Sequence, residues 1–280
     1  MSTSGWQLHQ ADAVDWLRKL APASVDLVIT DPPYESLEKH RAVGTTTRLK
    51  HSKASSNDWF RIFPNARFPE LFAEIFRVLK PDRHFYLFCD PETAFVAKPV
   101  AEQAGFKFWK PLVWDKQRIG MGYHYRARYE FILFFEKRKR SKIGRKLADL
   151  GVADVISVPR VHKGYPAEKP LPVLDVLVRQ SAVPGELVVD PFMGSGSTGL
   201  AAVAHGCRFA GNDIADAAVD LTRQRLTSLT SLTVPDSDSS ADNPTNQTLG
   251  IPLTLPLPMP APAVVQPTLP SPRMVSGRAG

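Results

Sequence analysis

Short runs of aliphatic, β-branched and aromatic residues recur along this 280-residue chain, and most are followed by apolar residues at helical spacing. VDLVIT, HFYLFCD, ELVVD and RFAGND have little of the polar alternation of a strand with one wet face, so they read as strands covered on both sides. GWQLHQA, FKFWKPLVWD and YEFILFFEK complete a set of seven strands. Between them, helical periodicity predicts helices through Val14, Trp16, Leu17 and Leu20, over Pro69–Leu79 (Leu71, Phe72, Ile75, Phe76, Leu79), Glu92–Gly105, Leu171–Arg179, Ser197–His205 and Ala215–Leu226. Strands and helices in alternation can bury their apolar faces together only as helices packed on both faces of a largely parallel sheet. The expected fold is therefore α/β: a doubly wound, mostly parallel seven-stranded sheet, with FKFWKPLVWD and YEFILFFEK as an antiparallel hairpin at one edge.

Composition changes abruptly near Val234. The remaining segment holds ten of the 25 prolines and no aromatic residue. Such a stretch cannot bury enough apolar surface to offset its ordering entropy, so 233–280 reads as a disordered Pro-rich tail. Its two Arg stand against three Asp, which assigns the net charge of +7 to the body of the chain. A basic body favours an anionic partner. Two cysteines, Cys89 and Cys207, cannot build a disulfide framework or a zinc set, so no metal is expected. MSTSGWQLHQ lacks a basic start followed by an apolar run, and no segment approaches a membrane span, so a cytoplasmic protein without membrane contact is expected.

Two strand ends carry chemistry. VDLVIT stops at Asp31-Pro32-Pro33-Tyr34, which offers a carboxylate, a stiff turn and an aromatic ring. ELVVD runs into PFMGSGSTG, where Gly194, Gly196 and Gly199 satisfy G-x-G-x-x-G and Asp213 follows 19 residues after Gly194. A glycine turn opening a helix lets backbone approach a ligand, and the later acid can hold ribose hydroxyls. That pattern also suits NAD, which would make the chain an oxidoreductase. Against NAD, Asp190 would crowd a pyrophosphate, whereas a cationic sulfonium ligand would tolerate it, which points to S-adenosylmethionine.

With TDPPY first and DPFMGSGST last, the chain resembles the DNA amino-methyltransferases that modify exocyclic nitrogens, in the motif order of their β group. ADAVDWLRKLAPASVDLVITDPPY and YPAEKPLPVLDVLVRQSAVPGELVVDPFMGSGST resemble blocks of that family, and the likeness runs from about Trp6 to Leu226. It implies a Rossmann-like methyltransferase fold in which S-adenosylmethionine is the cofactor and double-stranded DNA the partner. The implied reaction is methyl transfer to N6 of adenine by base flipping and direct in-line displacement. N4 of cytosine is the same-class alternative, and a non-catalytic DNA-binding protein is a further one. Cytosine-C5 chemistry is excluded, because it needs a cysteine after proline, and Cys89 follows Phe88 while Cys207 follows Gly206.

The resemblance assigns roles. Asp31 and the Pro32 carbonyl would accept the amine's N–H bonds, Pro33 would stiffen the loop, and Tyr34 would stack the base. Asp190, Phe192, Gly194, Ser195 and Gly196 would surround the methionine part of the cofactor, and Asp213 its ribose. Asp12 is either a helix N-cap or the partner of the cofactor's adenine. Lys169 is either near the cofactor carboxylate or a solvated lysine. The family's Arg-x-x-His-Glu is here Arg126, Tyr129 and Glu130, which leaves Arg126 and Tyr129 without an inherited role.

DNA contacts are expected from Tyr123, Arg126 and Arg128 and from Lys137, Arg138, Lys139 and Arg140, the start of KRKRSKIGRK with its seven cations in ten residues. Such cations bind phosphate, unless the run is simply a solvated face. The expected organisation is a methyltransferase domain over 1–232 (catalytic half 1–136, basic target-recognition insert about 137–169, cofactor-loop half 170–232) and the tail 233–280. A homodimer and a cognate restriction endonuclease are the partners the sequence leaves open.

Overall fold

The computed structural model describes residues 5–36, 61–120, 125–138, 144–162, 165 and 167–233. All of these fall in the first of two compact units, residues 1–235. Residues 234–280, which hold nearly all of the expected tail, lie outside the described residues, as does most of the polar stretch after Tyr34.

The described residues form one sheet of eight strands. They are β1 (Trp6–Gln10), β2 (Val25–Thr30), β3 (Leu79–Cys89), β4 (Lys107–Asp115), β5 (Tyr129–Lys137), β6 (Val155–Ser157), β7 (Leu187–Asp190) and β8 (Arg208–Asp213). Their order is β1-β8-β7-β2-β3-β5-β4-β6. Only β5 runs against its neighbours, β3 and β4; every other pairing is parallel. The helices are α1 (Ala13–Lys19), α2 (Phe68–Val78), α3 (Pro91–Gln103), α4 (Leu171–Ser181), α5 (Ser197–Ala204) and α6 (Asp216–Thr233).

The doubly wound reading holds for a physical reason visible in β2, all six residues of which are buried. Val28 faces the apolar layer built with α1, α2 and α3, whereas Leu27 and Ile29 face the layer built with α4, α5 and α6. A strand roofed on both sides has no wet face, hence no alternation.

Three details differ from expectation. The eighth strand, β6, is three residues long and pairs with β4 through Val113 and Val155, too short to stand out as a pattern. The hairpin of β4 and β5 is present, but β5 lies between β3 and β4, and β6 takes the edge outside them. Leu79, expected to end a helix, instead caps α2 with its own N–H and begins β3.

The chain moves outward from β2 to β3 on one side and from β7 to β8 on the other, where β1, the first strand, lies beyond β8. β2 and β7 are therefore the neighbours at which the winding reverses, and open α/β sheets bind ligands beyond the carboxyl ends of strands at such a point.

Candidate active site

Along the carboxyl edge, the strands on both sides of the reversal point lead into carboxylates: Asp12 after β1, Asp213 on β8, Asp190 on β7, Asp31 after β2 and Asp90 after β3. Their hydrogen bonds sort them by task.

Asp190 is committed to structure. Its side chain accepts from Thr30 Oγ1 at 2.9 Å, from the Phe192 N–H at 3.0 Å and from Thr198 Oγ1 at 2.8 Å. It thereby ties the end of β2, the glycine loop and α5 together. Burial pushes its carboxyl up to about 7 against those donors. Asp12 caps α1, accepting from the N–H groups of Val14 and Asp15, and meets both terminal nitrogens of Arg67 at 2.7 and 3.0 Å. Of its two expected roles, the cap is the one seen; Arg67 and the cap bonds hold its carboxyl below the usual range.

The glycine loop divides its labour. Gly194 is left-handed (φ 49°), and a Cβ there would meet only Tyr165, at 3.5 Å, so its surface stays open to a ligand. A Cβ on Gly196 would strike the Thr222 side chain at 2.5 Å, and one on Gly199 the Phe209 ring at 2.6 Å. Those two glycines serve helix and strand packing. Asp213 receives the Gly194 N–H on Oδ2 and the Ala215 N–H on Oδ1, both at 2.9 Å, which shapes the loop and leaves lone pairs on each oxygen. Phe192 packs edge-on against Phe63 with ring centroids 5.1 Å apart. The Ser195 carbonyl accepts from Arg225 at 2.7 Å.

At the end of β2 the arrangement is different. Lys169 donates to Asp31 Oδ2. Asp31 Oδ1 is fully enclosed and has no hydrogen-bond partner among the described residues. An enclosed carboxylate oxygen without a donor costs free energy; Glu136 Oε1 near the far edge is another, so it is the position of Asp31 at the reversal point, beside the glycine loop, that makes Oδ1 a place for a ligand donor. Burial raises the Asp31 carboxyl to about 6, with the nearby Glu130 adding to the rise and Lys169 opposing it. Glu130 itself stays ionised, because Lys169 (3.1 Å) and Lys116 (2.8 Å) flank it. Tyr34 is 8% exposed, and its hydroxyl donates to Glu130 Oε1 at 3.4 Å. The Phe63 N–H donates to the Pro33 carbonyl at 2.8 Å, while no backbone donor among the described residues reaches the Pro32 carbonyl.

Sequence reasoning placed Glu130 in the family's Arg-x-x-His-Glu position without giving it a task, and missed Lys116 and Tyr165. Glu130 left a signal: a carboxylate inside the apolar strand YEFILFFEK must find a cation. Lys116 and Tyr165 left none, since only the folded chain brings them to this edge.

The expected DNA-contact residues separate. The connection between β4 and β5 lies on the carboxyl edge, with Tyr125 and Arg126 exposed. Arg128 closes the neck of this connection through two bonds to Asp115, at 2.6 and 2.7 Å. Because β5 runs backwards, Lys137 and Arg138 emerge at the opposite edge. Lys137 pairs with Arg83 six residues before Cys89, a span of about 20 Å. Its ammonium donates to the carbonyls of Phe76 and Leu79, and Arg138 lies 3.4 Å from Glu136. The structure does not bring these two cations to the catalytic edge. Tyr123, Lys139 and Arg140 lie outside the described residues.

A carboxylate with one open acceptor beside a glycine loop, at the reversal point of a doubly wound sheet, defines a group-transfer enzyme of the methyltransferase class. The family model for N6/N4 DNA methylases matches residues 25–224, and the chain belongs to that family. It is thus a DNA methyltransferase of the N6-adenine/N4-cytosine group, and the NAD oxidoreductase reading of the glycine loop drops out. Among similar proteins is the type II methyltransferase M.HpaI of Haemophilus parainfluenzae, 25% identical over 78% of this chain and 73% of its own length. The DNA adenine methyltransferase YhdJ of Escherichia coli is 27% identical over 77% and 80%. In fold the chain is similar to the DNA modification methylase TTHA0409 of Thermus thermophilus, solved with S-adenosyl-L-methionine, at TM-score 0.59 and 22% identity, over 79% of this chain and 95% of that one. No helix among the described residues is long and apolar enough to cross a membrane.

Proposed function

We propose that the chain transfers a methyl group from S-adenosylmethionine to N6 of adenine in double-stranded DNA. The observation that carries this reading is the enclosed, unpartnered Oδ1 of Asp31. An exocyclic amine conjugated to its ring is a weak nucleophile, and an acceptor fixed on one N–H favours the pyramidal nitrogen that attacks. Asp31 Oδ1 takes one N–H and the Pro32 carbonyl the other, while Pro33 keeps the loop stiff. Tyr34, tethered by its hydroxyl to Glu130, is the aromatic surface against which the flipped base packs.

The residues at the neighbouring strand ends suit the cofactor. Gly194 leaves room for close approach, Asp213 keeps lone pairs for ribose hydroxyls, and Phe192 with Phe63 forms an apolar wall. Asp190, whose side chain already accepts three hydrogen bonds, acts by holding Ser195 and Gly196 in place. The cofactor supplies a methyl group on a sulfonium. With methyl transfer to the amine nitrogen, the amine would give up one proton, and Asp31 is placed to receive it and pass it to water.

DNA approaches the carboxyl edge, so target contacts fall on the connection bearing Tyr123, Arg126 and Arg128 and on the segment that leads to Lys169. Lys137–Arg140 begin at the other edge and are not needed for them. A recognition role thus covers only part of 137–169. The 1–232 division, a homodimer and a cognate endonuclease remain part of the same proposal.

The test is methyl transfer from labelled S-adenosylmethionine to DNA, with the modified nucleoside identified after digestion. N6-methyladenine is expected. N4-methylcytosine would move the assignment to the other base the family serves, and an unmodified digest would overturn the reading.

A further inference from the structure

Lys169 reaches the catalytic edge from the segment after β6, and its side chain is 11% exposed between two carboxylates. It donates to Asp31 Oδ2 and lies 3.1 Å from Glu130 Oε1, while Glu130 Oε2 lies 2.8 Å from Lys116. The charges alternate along this chain of four and cancel. Lys169 also sits over the Phe88 ring, 5.3 Å from its centroid. A buried lysine so enclosed has nowhere to swing. Its segment is fixed upstream as well. Glu168 pairs with Arg225 at 2.9 Å, Arg225 donates to the Ser195 carbonyl, and a Tyr165 ring carbon lies 3.5 Å from where a Gly194 Cβ would stand.

We propose that Lys169 is a positioning residue for Asp31: it grips Oδ2, keeps the enclosed carboxylate ionised, and thereby presents Oδ1 as the acceptor for the target amine, while Glu130 and Lys116 hold Lys169 in place. The proposal rests on the methyl-transfer reading above. It gives Lys169 a different task from holding the cofactor carboxylate. A protonated Asp31 would turn one acceptor into a donor, and the amine needs an acceptor. Enclosure favours that protonated form, and a cation within hydrogen-bond reach opposes it.

The groups that face Asp31 come from every neighbouring element. Lys169 and Lys116 favour its charge, whereas Glu130 on β5 and Asp190 on β7 disfavour it. Tyr34 follows it in the chain, and Cys89 and Asp90 lie at the end of β3; burial pushes the Tyr34 phenol and the Cys89 thiol well up, so both stay neutral at the pH of the assay. Lys169 and Glu130 therefore pull the Asp31 titration in opposite directions.

The test is single-turnover methyl transfer between pH 5 and 9, with calorimetric binding of S-adenosylmethionine to each protein. For Lys169→Met the acid limb of the rate profile should move up by about 1–3 pH units, with rate recovered at high pH and cofactor affinity unchanged. Lys169→Arg should restore much of the limb, and Glu130→Gln should move it down. A Lys169→Met protein that binds cofactor more than about tenfold more weakly, with its limb unmoved, would return Lys169 to the cofactor and overturn the proposal. So would an unmoved limb with unchanged rate. Should Lys169→Met fail to fold, unmoved limbs in Lys169→Arg and Glu130→Gln would overturn it equally. If the unsubstituted protein methylates no DNA at any pH, the functional reading has failed. The carbon-13 NMR titration of Asp31 with and without Lys169 then decides the positioning claim by itself.

Discussion

The amino and carboxyl ends of β2 and β7 use the same residue types for opposite purposes. At the amino edge, Asp26 is met by Lys80 at 2.7 and 2.8 Å, by Arg83 at 3.2 Å and by the Leu187 N–H at 3.0 Å. Glu186 is met by Arg83 and Arg145, each at 2.8 Å, and by the Val183 N–H at 2.9 Å. Every one of those four carboxylate oxygens has a donor. At the carboxyl edge, Asp31 has one oxygen gripped and the other enclosed and empty. A satisfied acid network stabilises a strand start, whereas an unsatisfied acceptor held by its neighbours is a site prepared for a ligand.

Substitutions at the two edges should therefore fail differently. Asp31→Ala should lower the methyl-transfer rate by about 10²–10³-fold or more while sparing cofactor binding and the melting temperature. Retained turnover would break the contrast at its centre. Asp26→Ala should leave catalysis per folded molecule intact and cost about 3 kcal/mol in denaturant unfolding, since it strands Lys80 and the Leu187 N–H and leaves Arg83 with Glu186 alone. The partial solvent access of both cations keeps the loss from being larger.

Acid should act on the catalytic edge first. The Asp31 carboxyl is raised to about 6 by burial, and protonation puts a donor on one oxygen and weakens the other as an acceptor. The single-turnover rate should therefore fall roughly tenfold per pH unit below about 6, and circular dichroism over the same range should show whether the fold persists. Asp190, raised to about 7, has the opposite sign for stability. The folded state holds its proton more tightly than the unfolded chain, so this group's contribution is lost as pH rises from its ordinary value through about 7.

DNA affinity sharpens the comparison at smaller magnitude. Arg126→Ala should reduce the slope of log affinity against log salt by about one, because that side chain is exposed on the catalytic edge. Lys137→Ala should leave the slope alone and show itself in thermal unfolding, because its ammonium caps the carbonyls of Phe76 and Leu79. Equal slopes for the two would place DNA on both edges. The smallest effect belongs to Asp12→Ala, about 1 kcal/mol in unfolding for the lost cap of α1.

Much of the fold was legible because burial on both faces leaves a local trace. VDLVIT and ELVVD could only be interior strands, and the glycine turn after Asp190 could only open a helix. β6 was not legible: three residues carry no period, and Val155 becomes a strand only because Val113 lies beside it. The basic run was legible as charge but not as place. Its cations read as a DNA surface until the reversed direction of β5 delivered the first two to the far edge.

The site divides along the same line. The chain alone determined that Asp31 ends a core strand, that two prolines stiffen the turn behind it, and that Gly194 admits a close approach, since each follows from residues next to one another. Tertiary structure alone decided which acids are spent and which are free. Asp190 and Asp12, read from the chain as ligand residues or candidates for that role, turn out to have their hydrogen bonds taken by Thr30, Thr198 and Arg67. Lys169 meets Asp31 across 138 residues of sequence, with Glu130 and Lys116 arriving from the reversed strand and the turn before it. The physical reason is that the charge state of a buried carboxylate is set by what surrounds it in space, and no local pattern records those neighbours.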